Sequence, residues 1–456
     1  MARTKSTQIR RVLNRLIPKA RLQALAKETG AVMRERKIGI VELFWTVVLG
    51  FATGNVRTLA GLRRAFEKAT GTTVVPSAFY DRFTPKLVRL LKTALGEVMD
   101  KTSQMNAALR GALASFKDVL LTDSTVVRLH DLLQKSFPAC RTNHTQAALK
   151  AHVILSVTGR GPASVKVTSE RVHDGPVLRA GRWVKDKLLI FDLGYYRFQL
   201  FACIEQQGGY FLTRLKDKAN PLVTAVHRQW RGRAVNVVGC RLQDVIERLS
   251  RQAIDMEVEL CFKRREYAGR SRTSRARFRL VGVRNEDTGA YHLYVTNIPV
   301  EKLSADDVAK TYAARWLIEM AFKQLKSSYR LDQMPSSKRH IVEALLYAAL
   351  ITMMASRVLL DHIRSRLRAE MADRLPEDRW AVVFAAAAQD ILAILLRSPA
   401  EARVLAPFLE QMLMKEAIDP NRGRLRLLAR VEQRKPPRWS SKKQGISRGI
   451  AMQYAC

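Results

Sequence analysis

Two apolar runs end in aspartate: Val119-Leu-Leu-Thr-Asp123 and Leu188-Leu-Ile-Phe-Asp192. Each is shorter than a buried helix and stops at a polar turn, so each reads as a strand buried on both faces. Such strands sit in the middle of a sheet that helices cover. The neighbouring text agrees. ALKAHVILSVTG and PASVKVTSERV are short runs punctuated by Gly and Pro, as strands are. A short helix is predicted around residues 175–183. YYRFQLFACIEQ then reads as a helix and GYFLTRLKD as another strand. Strand–helix–strand order predicts an α/β sheet with helical cover.

The flanks have a different texture. Residues 1–38 hold eleven Lys/Arg against two acids, and apolar residues at helical spacing dominate to about residue 110. The span 1–112 is therefore expected to be a helical domain whose basic helices meet DNA backbone. The α/β core occupies 113–218 and resumes over 299–365, the latter opening with a helix capped by Ser304-Ala-Asp-Asp307. Between them, 219–298 reads as a β-rich insertion. Residues 254–260 alternate apolar and acidic side chains, which predicts a half-exposed strand with Glu257 and Glu259 on its wet face. Residues 278–283 and 291–298 are two further strands joined by an NEDTG turn. From Lys263 to Arg279 the insertion carries eight Lys/Arg and one Glu. This basic loop, with Arg270, Arg272, Arg275 and Arg277, is expected to track DNA phosphates. Residues 366–456 are a helical region with a basic tail, suited to dimerisation.

Composition narrows the partner. The chain of 456 residues has 79 Lys plus Arg and 41 Asp plus Glu, a net charge of +38. Its 47% apolar content is that of a globular protein, so the surplus points to a polyanion, DNA or RNA first. Five scattered cysteines (Cys140, Cys203, Cys240, Cys261, Cys456) form no CxxC pair, which argues against a zinc site or disulfide framework and for a reduced, cytoplasmic chain. The uncharged apolar stretches are about a dozen residues against the roughly 20 of a membrane span, so they read as core helices.

Acids are scarce, so an acid in an apolar setting is informative. Asp123 and Asp192 both stand where a buried strand emerges, the place where ligand sites gather in α/β sheets. Two such carboxylates repel unless a divalent cation lies between them. A third element is the helix TYAARWLIEMAFKQLKSSYRL. Wound at about 100° per residue, Tyr312, Arg315, Glu319 and Lys326 fall in one stripe about 60° wide. An internal Arg315–Glu319 ladder and a charged ligand both account for that stripe. Trp316 reads either as core packing or as an aromatic stacker, and Trp230 as a weaker stacker. His152 is placed on the second strand in support of the acids; His173-Asp174 reads as capping.

The spacing Tyr312-x2-Arg315-x3-Glu319-x6-Lys326 resembles the YREK signature of DDE transposases of the insertion-sequence four family. Asp123 in TDST and Asp192 in DLGYY resemble that family's first and second acids, and Val295-Thr-Asn-Ile-Pro299 its lead-in. The resemblance implies a ribonuclease H-like mixed-sheet core interrupted by a β-rich insertion, with helical regions at both ends. It implies Asp123, Asp192 and Glu319 as metal-binding triad for two Mg2+ ions, with Mn2+ as substitute, and no small-molecule cofactor. It implies that Arg315 and Lys326 hold a terminal phosphate, that Tyr312 hydrogen-bonds nearby and that Trp316 contacts a flipped base. The expected activity is cut-and-paste transposition on double-stranded DNA, transposon ends and target, by a homodimer at the bacterial nucleoid. A non-catalytic DNA-binding regulator and a structure-specific nuclease are the rival uses of such a core.

Overall fold

The computed structural model describes residues 7–32, 37–53, 57–104, 108–142, 145–227, 236–263 and 273–420. Both runs form strands, but Asp123 lies inside its strand, which continues six residues past the expected end, whereas Asp192 directly follows the end of its own. Asp118–Leu129 is β1, and Lys187–Phe191 is β5. Pro138–Thr142 (β2), Thr145–Ser156 (β3) and Gly161–Ser169 (β4) lie between them, and Tyr210–Arg214 (β6) follows. β1 pairs antiparallel with β3, β3 with β4, and β1, β5 and β6 run parallel to one another. The order β4-β3-β1-β5-β6 is the ribonuclease H-like core that the resemblance implies.

The period of two along each strand divides the core into two layers. Leu188 and Ile190 face a large cluster of helices. Leu189 and Phe191 face the opposite side, where the Phe198–Gln206 helix lays Phe201 on Phe211 with ring centroids 4.4 Å apart. That helix is where the sequence predicts it. The helix predicted over 175–183 is absent; only a short 3-10 turn, Arg182–Val184, forms there. Gly175-Pro176 and Gly181 break the run before a helix can propagate.

The insertion is part of the same sheet. Leu222–Val226 (β7), Ala253–Lys263 (β8), Thr273–Arg284 (β9) and Tyr291–Thr296 (β10) continue it in the order β6-β10-β9-β8-β7, giving ten strands. The NEDTG turn joins β9 to β10 as expected. Asp255 departs from the expected wet face of β8. It is 4% exposed and receives two hydrogen bonds, 2.8 and 2.7 Å, from the equally buried Arg279. Arg279 also donates to the carbonyls of Ile298 and Leu303, at 3.1 and 2.8 Å. The pair thus ties the insertion to the entry of the next helix. Glu257 stays open to solvent, whereas Glu259 is largely covered, with Arg275 and Arg277 beside it.

The helix expected from Ser304 to about Ser327 is broken. It runs as Ala305–Tyr312, then a 3-10 turn, Ala313–Arg315, then Trp316–Lys326. The small Ala313 and Ala314 tolerate the crowded 3-10 geometry. The Ser304 hydroxyl caps the start, accepting from the Asp307 amide at 3.2 Å and donating to its carboxylate at 2.6 Å.

The helices at the two ends of the chain share one core. Thr352 of the Arg339–Arg364 helix donates to the carbonyl of Val48, and buried Arg57 donates to that of Leu345 at 2.8 Å. Two helices, Arg339–Arg364 and Glu377–Leu396, are long and apolar enough to span a membrane, but 89% and 61% of their apolar windows are buried in the protein.

Candidate active site

Register brings the first two acids together. Thr122 on β1 pairs with Phe191, the last residue of the parallel strand β5, so the next residues along, Asp123 within β1 and Asp192 in the turn after β5, lie side by side. Each carboxylate is fixed from behind. Asp123 Oδ1 accepts from the Ser124 amide at 2.7 Å, and Asp192 Oδ1 accepts from the Gly194 amide at 2.9 Å. The Trp316–Lys326 helix packs on β1 and delivers Glu319.

Arg315 bridges the two elements. Its guanidinium contacts Glu319 and lies 3.6 Å from Asp123 Oδ2. With that guanidinium between them, no three His, Cys, Asp or Glu side chains among the described residues converge closely enough to chelate one ion. The electrostatics still record the crowding. Burial, with the neighbouring charges of Asp192 and Glu319, lifts Asp123 from an ordinary 3.8 to about 6, against the opposing effects of the Ser124 amide and Arg315.

The other residues of the stripe have distinct settings. Tyr312 is half-buried with its ring 5.1 Å from that of Tyr294, and burial raises its phenol. Lys326 is half-buried, which lowers its ammonium, with Asp332 acting in the opposite sense. Among the described residues it has no ion-pair or hydrogen-bond partner. Trp316 is 55% exposed, which removes core packing as its explanation. Arg275 and Arg277 stand on strand β9, not in a loop, and both are 69% exposed. Arg270, Arg272, Trp230 and the basic tail lie outside the described residues.

The structure also places His152 on a strand beside the acids, as expected, and brings Asp174, read from sequence as a capping residue, to the same site. His152 on β3 is buried. Its Nε2 is 2.9 Å from the Thr168 hydroxyl, and its Nδ1 approaches Asp174 Oδ1 to 3.2 Å without the alignment of a hydrogen bond. Lys150 Nζ is 3.5 Å from the same oxygen. Burial disfavours charge on Asp174, but His152, Ser124 and Lys150 outweigh it and hold the group at about 2. Tyr195 is fully buried. Its phenol is pushed up by burial and then by Asp174, Asp123 and Asp192. The sequence signal for Asp174 was the His173-Asp174 pair, which was read as capping a helix that does not form.

Comparison with known proteins follows the same residues. Residues 114–355 match the family model for the transposase DDE domain. The chain is 24% identical over 373 residues to the transposase for insertion sequence element IS231F of Bacillus thuringiensis subsp. israelensis, covering 74% of this chain and 77% of that one. Against the IS231D transposase of Bacillus thuringiensis subsp. finitimus it is 24% identical over 414 residues, covering 82% and 85%. A piggyBac transposase in a synaptic complex with hairpin DNA is similar at a TM-score of 0.44 and 9% identity, covering 92% of this chain and 87% of that one.

Proposed function

Because the chain belongs to the DDE transposases, we propose that it is a cut-and-paste enzyme in which Asp123, Asp192 and Glu319 hold the metal ions of strand cleavage and transfer. The observation that carries this reading is that Asp123 and Asp192 each follow the paired residues Thr122 and Phe191 of adjoining parallel strands, with Glu319 linked to Asp123 through Arg315. The donor set suits a hard cation. All three side chains offer carboxylate oxygens, and Asp123, raised first by burial and then by the charges of Asp192 and Glu319, sits where a bound cation would favour its ionised form. Two Mg2+ ions, or Mn2+ in their place, would supply activation of the attacking oxygen and stabilisation of the leaving one.

The protein's own groups do the rest. The amides of Ser124 and Gly194 fix one oxygen of each aspartate, which leaves the other for metal. Arg315 neutralises Asp123 and Glu319 in the metal-free protein. Its planar fork and the point charge of Lys326 suit a terminal DNA phosphate, with Tyr312 hydrogen-bonding beside them. Exposed Trp316 provides a surface for an unstacked base, as in cleavage through a hairpin. Arg275 and Arg277 extend the cationic path along the insertion. The substrates are the terminal inverted repeats of the protein's own element and a target duplex in the bacterial cytoplasm. The working species is a homodimer that pairs two ends. The test is a Mg2+-dependent cleavage assay on end-containing DNA. Wild-type protein cuts and Glu319→Gln does not. Cutting without regard to the end sequence would support the nuclease instead, and binding without cutting the regulator.

A further inference from the structure

Asp174 belongs to no strand, yet it reaches the turn that carries Asp192. The position that a Cβ would take on Gly194 lies 3.1 Å from Asp192 Oδ1 and 3.3 Å from Asp174 Oδ2. The two carboxylates therefore close on the same face of one glycine. A second link runs in parallel, because Arg197 donates to the Gly175 carbonyl at 3.1 Å. The close approach there is tight, since a Cβ on Gly175 would meet Arg197 Cδ at 2.9 Å. The segment around Asp174 and Gly175 is thus strapped across residues 192–197.

Charge alone would drive Asp174 off that turn, because Asp123 and Asp192 are of like sign. Two groups on β3 oppose this. Lys150 Nζ and His152 Nδ1 lie 3.5 and 3.2 Å from Asp174 Oδ1, and both side chains are largely buried. Oδ1 is held by β3 while Oδ2 bears on Gly194. Buried beside them, the Tyr195 phenol is raised by burial and then by Asp174, Asp123 and Asp192, so the pocket keeps a neutral polar group beside the acids.

We propose that Asp174 is a positioning residue for Asp192: tethered by Lys150 and His152, it wedges the Gly194 turn so that Asp192 presents its second oxygen to metal. The proposal rests on the reading of Asp192 as a metal ligand. Groups that orient metal ligands without touching the ion commonly carry tenfold to hundredfold of affinity.

The experiment measures Mn2+ binding to the full chain by electron paramagnetic resonance. It compares wild type with Asp174→Asn, Gly194→Ala and Asp192→Asn, beside melting curves and metal-free binding to end DNA. Asp174→Asn keeps the shape of the side chain and loses its attraction to Lys150. It is expected to weaken Mn2+ by about tenfold or more, with a lower melting temperature from the uncompensated Lys150, metal-free DNA binding near wild type and cleavage restored by excess Mn2+. Gly194→Ala reaches the same turn without altering Asp174 and is expected to show the same loss. Wild-type Mn2+ affinity in either variant overturns the proposal. So does a cleavage defect in Asp174→Asn that saturating Mn2+ leaves in place, which would put Asp174 in contact with the reacting atoms. If Asp192→Asn itself binds Mn2+ as wild type does, the failure lies in the triad reading.

Discussion

Replacing Asp123 by Asn is expected to stabilise the metal-free protein while abolishing cleavage. Asp123 titrates at about 6 in the folded chain against an ordinary 3.8. The folded state therefore binds this proton more tightly than the unfolded chain. The contribution of the protonated group is complete below about 3.8 and lost as pH rises through about 6. At pH 7 the ionised carboxylate lowers stability by about two pKa units, or ~3 kcal/mol at 1.36 kcal/mol per unit. Asn keeps an oxygen for the Ser124 amide and removes the charge. It also deprives Arg315 of one of its two acidic neighbours, which reduces the gain to ~1–3 kcal/mol. Melting in chelator at pH 7 is thus expected to rise by about 1–3 °C. The advantage over wild type shrinks as pH falls from 6 toward 4. Mg2+ raises the melting temperature of wild type and leaves Asn nearly unmoved. A lower melting temperature for Asn in chelator, or an advantage independent of pH, would refute the electrostatic account of the site.

Asp192→Asn and Glu319→Gln are expected to lose strand cleavage with binding to end DNA within a few-fold, measured by gel cleavage and fluorescence anisotropy. Asp255→Ala strands the buried Arg279 charge and is expected to cost about 3–5 kcal/mol in urea unfolding. Changing Asp255 and Arg279 together to apolar residues should recover much of that loss. Lys326→Ala, which breaks no ion pair among the described residues, is expected to melt within a degree or two of wild type. Its defect should fall on steps after the first nick in a stepwise cleavage assay. Binding is expected to weaken about 10³-fold between 50 and 200 mM salt if six or more phosphates are neutralised; Arg275→Ala with Arg277→Ala should lower the logarithmic slope by about two.

The parts of this molecule legible in its sequence are those where one local rule decides the outcome. Asp123 and Asp192 end uninterrupted apolar runs, and burial on both faces leaves such runs only the middle of a sheet. The Ser304 cap and the NEDTG turn are equally local. Asp255 was misread because alternation assigns a side chain to a face of its strand and is silent about what covers that face. Here Arg279 and the carbonyls of Ile298 and Leu303 cover it. The continuous stripe on the glutamate helix assumed an even 100° winding, which the 3-10 turn at Ala313–Arg315 interrupts. Asp174 was read as capping for a related reason. Its partners Lys150 and His152 lie more than twenty residues upstream on another strand, and only the β3–β4 pairing brings them near.

The continuity of the ten-stranded sheet sets an order of events during synthesis. β10 seals the open edge of β6, yet it leaves the ribosome only after β7, β8 and β9. The edge of the nascent core stays bare while the hairpins of the insertion take shape, and Glu319 emerges later still. A chain that stalls between residues 192 and 319 carries two of the three acids proposed to hold metal, so on that reading it cannot cut. Translation past the glutamate helix is then a condition for DNA breakage.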